Sequence, residues 1–333
     1  MEKKTDNTLS SKGFYRKMIS PIFSSKSFAP ILVIVYIVLL IFFSALSENY
    51  MTALNFKTIA NNASVLGLVS VGVFLVMLAG EFDFSVGAIV SMTSTTVVLA
   101  LDKHIPLPLV ILMALCMGAI IGIVNGMIVV YVGINSLIVT LGTTEVFYGI
   151  SLITVSAFQK QEIANKTFLS LGRVAIGRVF PIGMVYLIIL IILMAFILKF
   201  TDFGRNIYVV GGNREIARMV GIKTKRIKFM TFILSGIFAS FAGILLLAQL
   251  GAGRPEYGVS YVIDSVIVCV LGGLIMGGGK GDLLGLFLAL IILGSITSGL
   301  YILGVSIYIQ KIISGVMLML VLIINQIRYR RIV

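Results

Sequence analysis

The chain has 333 residues, of which 59% are hydrophobic and 12% charged, against about 25% charged in soluble domains. That balance excludes an ordinary soluble protein and points to one that lives in a lipid bilayer. The formal net charge of +13 calls for no nucleic acid, because Lys and Arg accumulate on the cytoplasmic side of membrane proteins and can also meet anionic lipid.

Apolar runs able to cross a bilayer of roughly 30 Å recur along the chain. In order they are Phe28–Leu46, Ala63–Gly80, Phe84–Leu101, Ile105–Val130, Tyr131–Phe158, Pro181–Leu198, Phe229–Leu250, Tyr261–Gly279, Leu283–Leu303 and Ile312–Asn325. Residues 1–47 resemble a signal peptide in outline. The apolar run is too long for one, however, and no small-x-small cleavage site follows, so it reads as the first membrane helix. The pattern predicts an all-α fold, a polytopic membrane helical bundle of about ten membrane segments. It divides into a basic N-tail at 1–28, a membrane domain at 29–325 and a C-tail at 326–333.

With an even number of crossings, the N-tail, the 199–228 loop, the turn at Lys280 and the C-tail share one side. That side holds eighteen of the 26 Lys and Arg residues. The positive-inside rule therefore predicts that both termini are cytoplasmic.

Within the 199–228 loop lies Asn213–Gly221, N-R-E-I-A-R-M-V-G. Asn213 is a good N-cap and Gly221 a good residue just past a helix end. Ile216, Met219 and Val220 fall at i, i+3 and i+4, one apolar face of a short helix. A capped amphipathic helix in water, on a chain otherwise committed to lipid, predicts a protein partner. The expected docking set is Asn213, Arg214, Glu215, Ile216, Arg218, Met219, Val220 and Gly221. Gly212 and Gly221 both flank it at positions suited to positive φ.

Acidic residues in or beside apolar runs are costly and mark candidate sites; here they are Glu81, Asp83, Glu145, Asp264 and Asp282. Asp83 and Asp282 each precede an apolar run, so both can cap a helix start. Asp264 could do the same for a broken eighth segment. Glu145 lies mid-segment and is predicted to be paired in the bundle, near a watery path, or titrating. Asp83, Ser85, Asn125, Thr140, Thr143, Glu145 and Asp264 are the candidates for a solute pathway. His104 reads as a loop residue. Cys116 and Cys269 read as small packing residues rather than a disulfide or metal site. Gly118, Gly122 and Gly126 form a small-xxx-small ridge for close helix approach.

The nearest match to a nucleotide-binding loop is Gly277-Gly278-Gly279-Lys280-Gly281. It lacks the first glycine at the required spacing and the Ser or Thr after Lys, so it reads as a tight turn. One His and two distant Cys supply no nucleophile–base or metal-ligand set for an enzyme. No cofactor is expected in this chain. An ion-gradient-driven carrier or channel using Glu145 and Asp264 remains open at this level, against few buried ionisable groups.

Four blocks resemble the permease subunit of ribose-type (monosaccharide) ATP-binding-cassette importers, a family related to branched-chain amino-acid permeases. They are Leu78–Ala88, Asn125-Gly126 with Ser136–Thr143, Gly204–Ile222, and Tyr261–Gly273. The resemblance implies a permease dimer (two copies or a copy and a paralogue) in a bacterial cytoplasmic membrane. It also implies a cytoplasmic ATPase that uses ATP and docks at 213–221, and an extracytoplasmic binding protein that delivers the sugar. The blocks also depart from the family's pattern. Glu81 stands where the family more often has glycine, and Val262 where an acid often precedes the Asp264 position. Leu274-Ile275 replace a common Thr-Ser pair, and Asn135-Ser136 replace prolines. Glu145 and Tyr148 are unusual in their block. These departures leave the solute open between a pentose, a hexose and another small polar solute such as a nucleoside or signalling furanose.

Overall fold

In hydrocarbon a backbone has no partner but itself, so apolar runs close into helices. The computed structural model describes residues 29–156, 162–177 and 180–330. The N-tail at 1–28 and residues 157–161, 178–179 and 331–333 lie outside them.

The helices are α1 (Ala29–Leu46), α2 (Ala53–Leu78), α3 (Val86–Asp102), α4 (Leu107–Met127, continued by a π-turn at Ile128–Val132), α5 (Ser136–Ser156) and α6 (Lys166–Arg173). After a ribbon of β1 (Ala175–Ile176) and β2 (Phe180–Pro181) come α7 (Ile182–Phe200), α8 (Asp202–Gly212), α9 (Arg214–Met219), α10 (Thr224–Leu250), α11 (Ser260–Leu271), α12 (Leu283–Ile302) and α13 (Ile307–Arg330).

Seven helices are long and apolar enough to cross a membrane: α1, α2, α4 with its π-turn, α5, α7, α10 and α12. Helix α3 and the apolar part of α13, Ile307–Ile323, are shorter. The expected segment Tyr261–Gly279 is corrected. Its helix, α11, has 12 residues, about 18 Å at 1.5 Å per residue. The chain leaves it at Gly272 and turns through Gly273, Gly278 and Gly279, all at positive φ. Asp264 is therefore inside α11 and caps nothing.

Helices α2 and α10 form the centre. Their apolar windows are 78% and 72% buried, against 11% for α1. Helix α10 packs on α2, α3, α4 and α6, and α2 packs on α7, α11 and α12. The ridge expected on α4 is the α4–α10 contact: a Cβ on Gly118 would strike the Gly236 carbonyl oxygen, and one on Gly122 that of Phe232. Backbones this close gain dispersion contacts that larger residues would deny them.

Two helices lie where the sequence suggested only loop. Helix α6 is capped by Asn165, which accepts from Phe168 N at 3.0 Å. Its Arg173 donates to the α10 carbonyls of Gln249 (3.1 Å) and Leu250 (3.0 Å), satisfying acceptors that the helix end leaves free. Helix α8 is capped by Thr201, which accepts from Gly204 N at 3.1 Å.

Candidate functional site

Between α2 and α3 the chain abandons helix for seven residues, 79–85, turning at Gly80 with φ 81°. Asp83 in this stretch is fully buried. Its Oδ1 accepts from the Ser85 hydroxyl (2.6 Å) and backbone N–H (3.0 Å), and its Oδ2 from the Ser235 hydroxyl (2.7 Å). The Asn125 amide donates to Ser85 Oγ at 2.8 Å, while its Oδ1 has no partner among the described residues. The capping role expected of Asp83 thus holds for one N–H, at Ser85. The carboxylate otherwise joins the start of α3 to α10 through the Ser85 and Ser235 hydroxyls, and Asn125 of α4 is added through Ser85 Oγ. Asp282 does cap α12, accepting from Leu284 N at 3.2 Å.

The same loop is held from α5. Ser136 Oγ accepts from Phe82 N at 3.1 Å, and Thr144 donates to the Phe84 carbonyl at 3.0 Å. It is held again from α10, where Lys228 Nζ lies 2.7 Å from Glu81 Oε1 with both side chains largely out of solvent. Of the predicted pathway residues, Asp83, Ser85 and Asn125 come together. Glu81, an acid flagged beside an apolar run, joins them, as do Ser235 and Lys228, which had not been expected as site residues. A signal existed for the α10 pair: Lys228 and Ser235 are seven apart, two helical turns on one face.

Thr140 and Thr143 stay on α5 and direct their hydroxyls to their own helix, at Ser136 O (2.7 Å) and Thr140 O (3.1 Å). Glu145 is on the exposed side of α5 and has no ion-pair partner among the described residues. Asp264 stands apart from Asp83, on the wall of a cavity of about 660 Å³ between α10, α11, α12 and α13 that Glu256, Tyr257, Tyr261 and Lys311 also line.

The segment after α8 has the expected shape. Asn213 Oδ1 accepts from Glu215 N and Ile216 N, both at 3.0 Å. At the far end Gly221 has φ 80°, Gly221 N bonds Arg218 O and Ile222 N bonds Ala217 O. That is the paired closure that glycine makes possible past a helix end. Ile216, Met219 and Val220 are exposed, Met219 to 84%, while Ala217 is buried beneath them. Gly212 is corrected: it is the last residue of α8 and is absent from the positive-φ glycines. Asn213 breaks the helix instead, with extended backbone.

Three backbones meet where α8 ends. Gly279 N donates to Leu78 O at 2.9 Å. A Cβ on Gly211 would fall on Leu78 O and within 2.6 Å of Gly279 N, and one on Gly278 would lie 2.8 Å from Gly80 N. Tyr208 of α8 also donates to Gly281 O at 3.3 Å. The segment carrying α9 is therefore fixed, backbone on backbone, to the start of the Asp83 loop.

Residues 55–322 match the family described as branched-chain amino acid transport system / permease component. The chain belongs to that family. It is 31% identical to the ribose import permease protein of Escherichia coli K12 over 325 residues, 96% of this chain and 98% of that one. It is 31% identical to the L-arabinose transporter permease protein of Azospirillum brasilense over 301 residues, 90% and 87%. It is also 32% identical to the autoinducer 2 import system permease protein of Photorhabdus luminescens over 285 residues, 85% of each. No solved structure matches. As a permease of this family with seven helices able to cross a membrane, the chain is a membrane transport component of the kind found in bacterial importers.

Proposed function

We propose that the chain is the pore-forming subunit of an ATP-binding-cassette importer in a bacterial cytoplasmic membrane, moving a monosaccharide or similar small polar solute. Both termini and the 199–228 segment face the cytoplasm in this reading. A separate ATPase docks on α9, and an extracytoplasmic binding protein delivers the solute. The observation that carries the reading is the closed, exposed α9 joined by backbone contacts to the loop of Asp83. A partner that moves α9 has a short, stiff path to the centre of the bundle.

A second permease, identical or paralogous, completes the pore. In support, α5 is only 17% buried, and Glu145 shares its exposed side with Ile138, Leu141, Val146 and Ile153. A carboxylate on such a face is expensive against lipid and far less so beside water or another chain. Thr143 and Glu145 would then approach the path between the two subunits, with Asp83, Ser85 and Asn125 setting the shape of its wall. The ribose, arabinose and galactose names of the relatives make pentoses and hexoses the first solutes to try.

The test is purification from the native membrane, identification of the proteins that come with the chain, and uptake of labelled sugars by the reconstituted assembly. An ATPase in the complex and ATP-dependent uptake are expected. Uptake driven by a sodium or proton gradient, with no ATPase present, would overturn the reading in favour of an ion-coupled carrier.

A further inference from the structure

Lys228 is the fifth residue of α10, the longest helix among the described residues, and Glu81 is in the non-helical stretch that breaks the path from α2 to α3. Their side chains are 9% and 18% exposed and meet at 2.7 Å. Two turns further along α10, Ser235 holds Asp83 at 2.7 Å. One face of α10 thus grips the loop twice, first by charge and then by a hydroxyl. On its other side the loop is tied to α5 through Phe82 N and Phe84 O. The loop is a strap between α5 and the entry of α10.

The entry of α10 is also the exit of α9. Only Val220, Gly221, Ile222 and Lys223 separate them, and these are drawn tight by Ile222 N to Ala217 O at 3.0 Å and Thr224 N to Ile222 O at 2.8 Å. A displacement of α9 reaches Lys228 through little slack.

We infer that Glu81 and Lys228 are a latch: positioning residues that hold the Asp83 loop against α10 in this conformation and part when α9 is moved. The inference rests on the proposed reading that a partner ATPase acts at α9. A buried ion pair is a weak stabiliser, since desolvation offsets most of its attraction. It is well suited to a separable contact, because each charged group regains water when the two move apart and both side chains are already partly exposed. The Asp83–Ser235 bond deeper in the bundle has no such escape and stays with the core. The latch therefore divides a part of the loop that can shift from a part that cannot.

The test uses the whole complex with its ATPase in lipid nanodiscs and proteoliposomes. Glu81→Gln and Lys228→Met, each alone, leave one buried charge uncompensated, and either is expected to cut uptake about tenfold or more. The double variant, Glu81→Gln with Lys228→Met, removes both charges and keeps the volume, so it folds and assembles. If the pair is a latch, the double variant hydrolyses ATP at an elevated rate without solute and still transports poorly. If the pair only stabilises the fold, the double variant recovers wild-type uptake and wild-type hydrolysis, and the inference is overturned.

Cysteines at the same two positions, in a chain with Cys116 and Cys269 replaced by Ala, give a second readout. Without the ion pair the unlinked Cys protein should hydrolyse ATP at an elevated rate without solute; a short bifunctional thiol linker should bring that rate down, and cutting the linker should raise it again. A linked protein that hydrolyses ATP at the unlinked rate also overturns the inference. Wild-type complex with no ATP-dependent uptake would instead bring down the functional reading, a result separate from any difference among the variants.

Discussion

Ser235 of α10 donates its hydroxyl to Asp83 Oδ2 at 2.7 Å across 152 residues of chain. The bond joins a buried position of α10 to the non-helical stretch between α2 and α3. It is the only contact on that oxygen among the described residues, because Ser85 occupies the other oxygen twice.

Ser235→Ala strips Oδ2 of its donor and leaves it buried. An unmet buried acceptor costs about 1–3 kcal/mol, more when it carries charge. We expect a lower melting temperature in detergent and weaker uptake, with Ser235→Thr keeping most of both because the hydroxyl remains. Wild-type melting and uptake in the Ala variant would show that the bond is dispensable.

The α4–α10 contact makes a prediction that needs no functional assay. A Cβ on Gly236 strikes the Gly118 carbonyl oxygen in the neighbouring backbone, so neither side can yield by a rotamer change. Gly236→Val should push the two helices apart at a cost of about 1–3 kcal/mol or more. Gly315 on α13 has nothing within 4 Å of a Cβ. There Gly315→Ala should be neutral or stabilising by about 0.4–1 kcal/mol. Thermal melts of both variants decide it; equal effects would contradict the packing described.

Local signals carried much of this molecule in its sequence. The bilayer-length runs, the Gly118–Gly126 ridge, the Asn213 cap and the Gly221 closure each depend on neighbours within a few residues, which is what a pattern can report. What escaped depends on distance. Ser235 and Lys228 look like routine helix residues until the fold brings them to Asp83 and Glu81. Helix α6 escaped because its burial comes from Phe168 packing on α10, not from its own short stretch. The eighth apolar run was long enough to span by composition alone, yet its glycines release the chain after Leu271, where composition has no say. Gly212 shows a limit of another kind. A glycine beside a cap invites a left-handed reading, but Gly212 is helical, and it is Gly211, one residue earlier, that lets Gly279 approach.

The exposed apolar residues of α9 give a docking prediction. Met219 is 84% exposed and touches little of its own chain. Met219→Glu should leave the protein in the membrane with an unchanged melting temperature. A buried unpaired carboxylate at an interface costs a few kcal/mol, so association with the ATPase should weaken by about a hundredfold. Co-purification and ATP-dependent uptake measure it. Full recovery of the ATPase with the Glu variant would remove Met219 from the docking face.

Gly221 and Gly212 sit at opposite ends of α9 and should respond oppositely to a side chain. Gly221 has φ 80°, and a β-branched residue there pays a strain of about 1–3 kcal/mol although the space around it is open. Gly221→Val should loosen the closure made by Gly221 N and Ile222 N, lower uptake and make the 220–223 connection more open to protease. Gly221→Asn, which tolerates the left-handed region better, should fall between. Gly212 is helical, and a Cβ on it would meet Gly279 Cα at an ordinary 3.9 Å, so Gly212→Ala should transport normally. Uptake and limited proteolysis on the three variants test the pair together. Full activity for Gly221→Val, or loss in Gly212→Ala, would mean that α9 is not held at its ends as the backbone geometry requires.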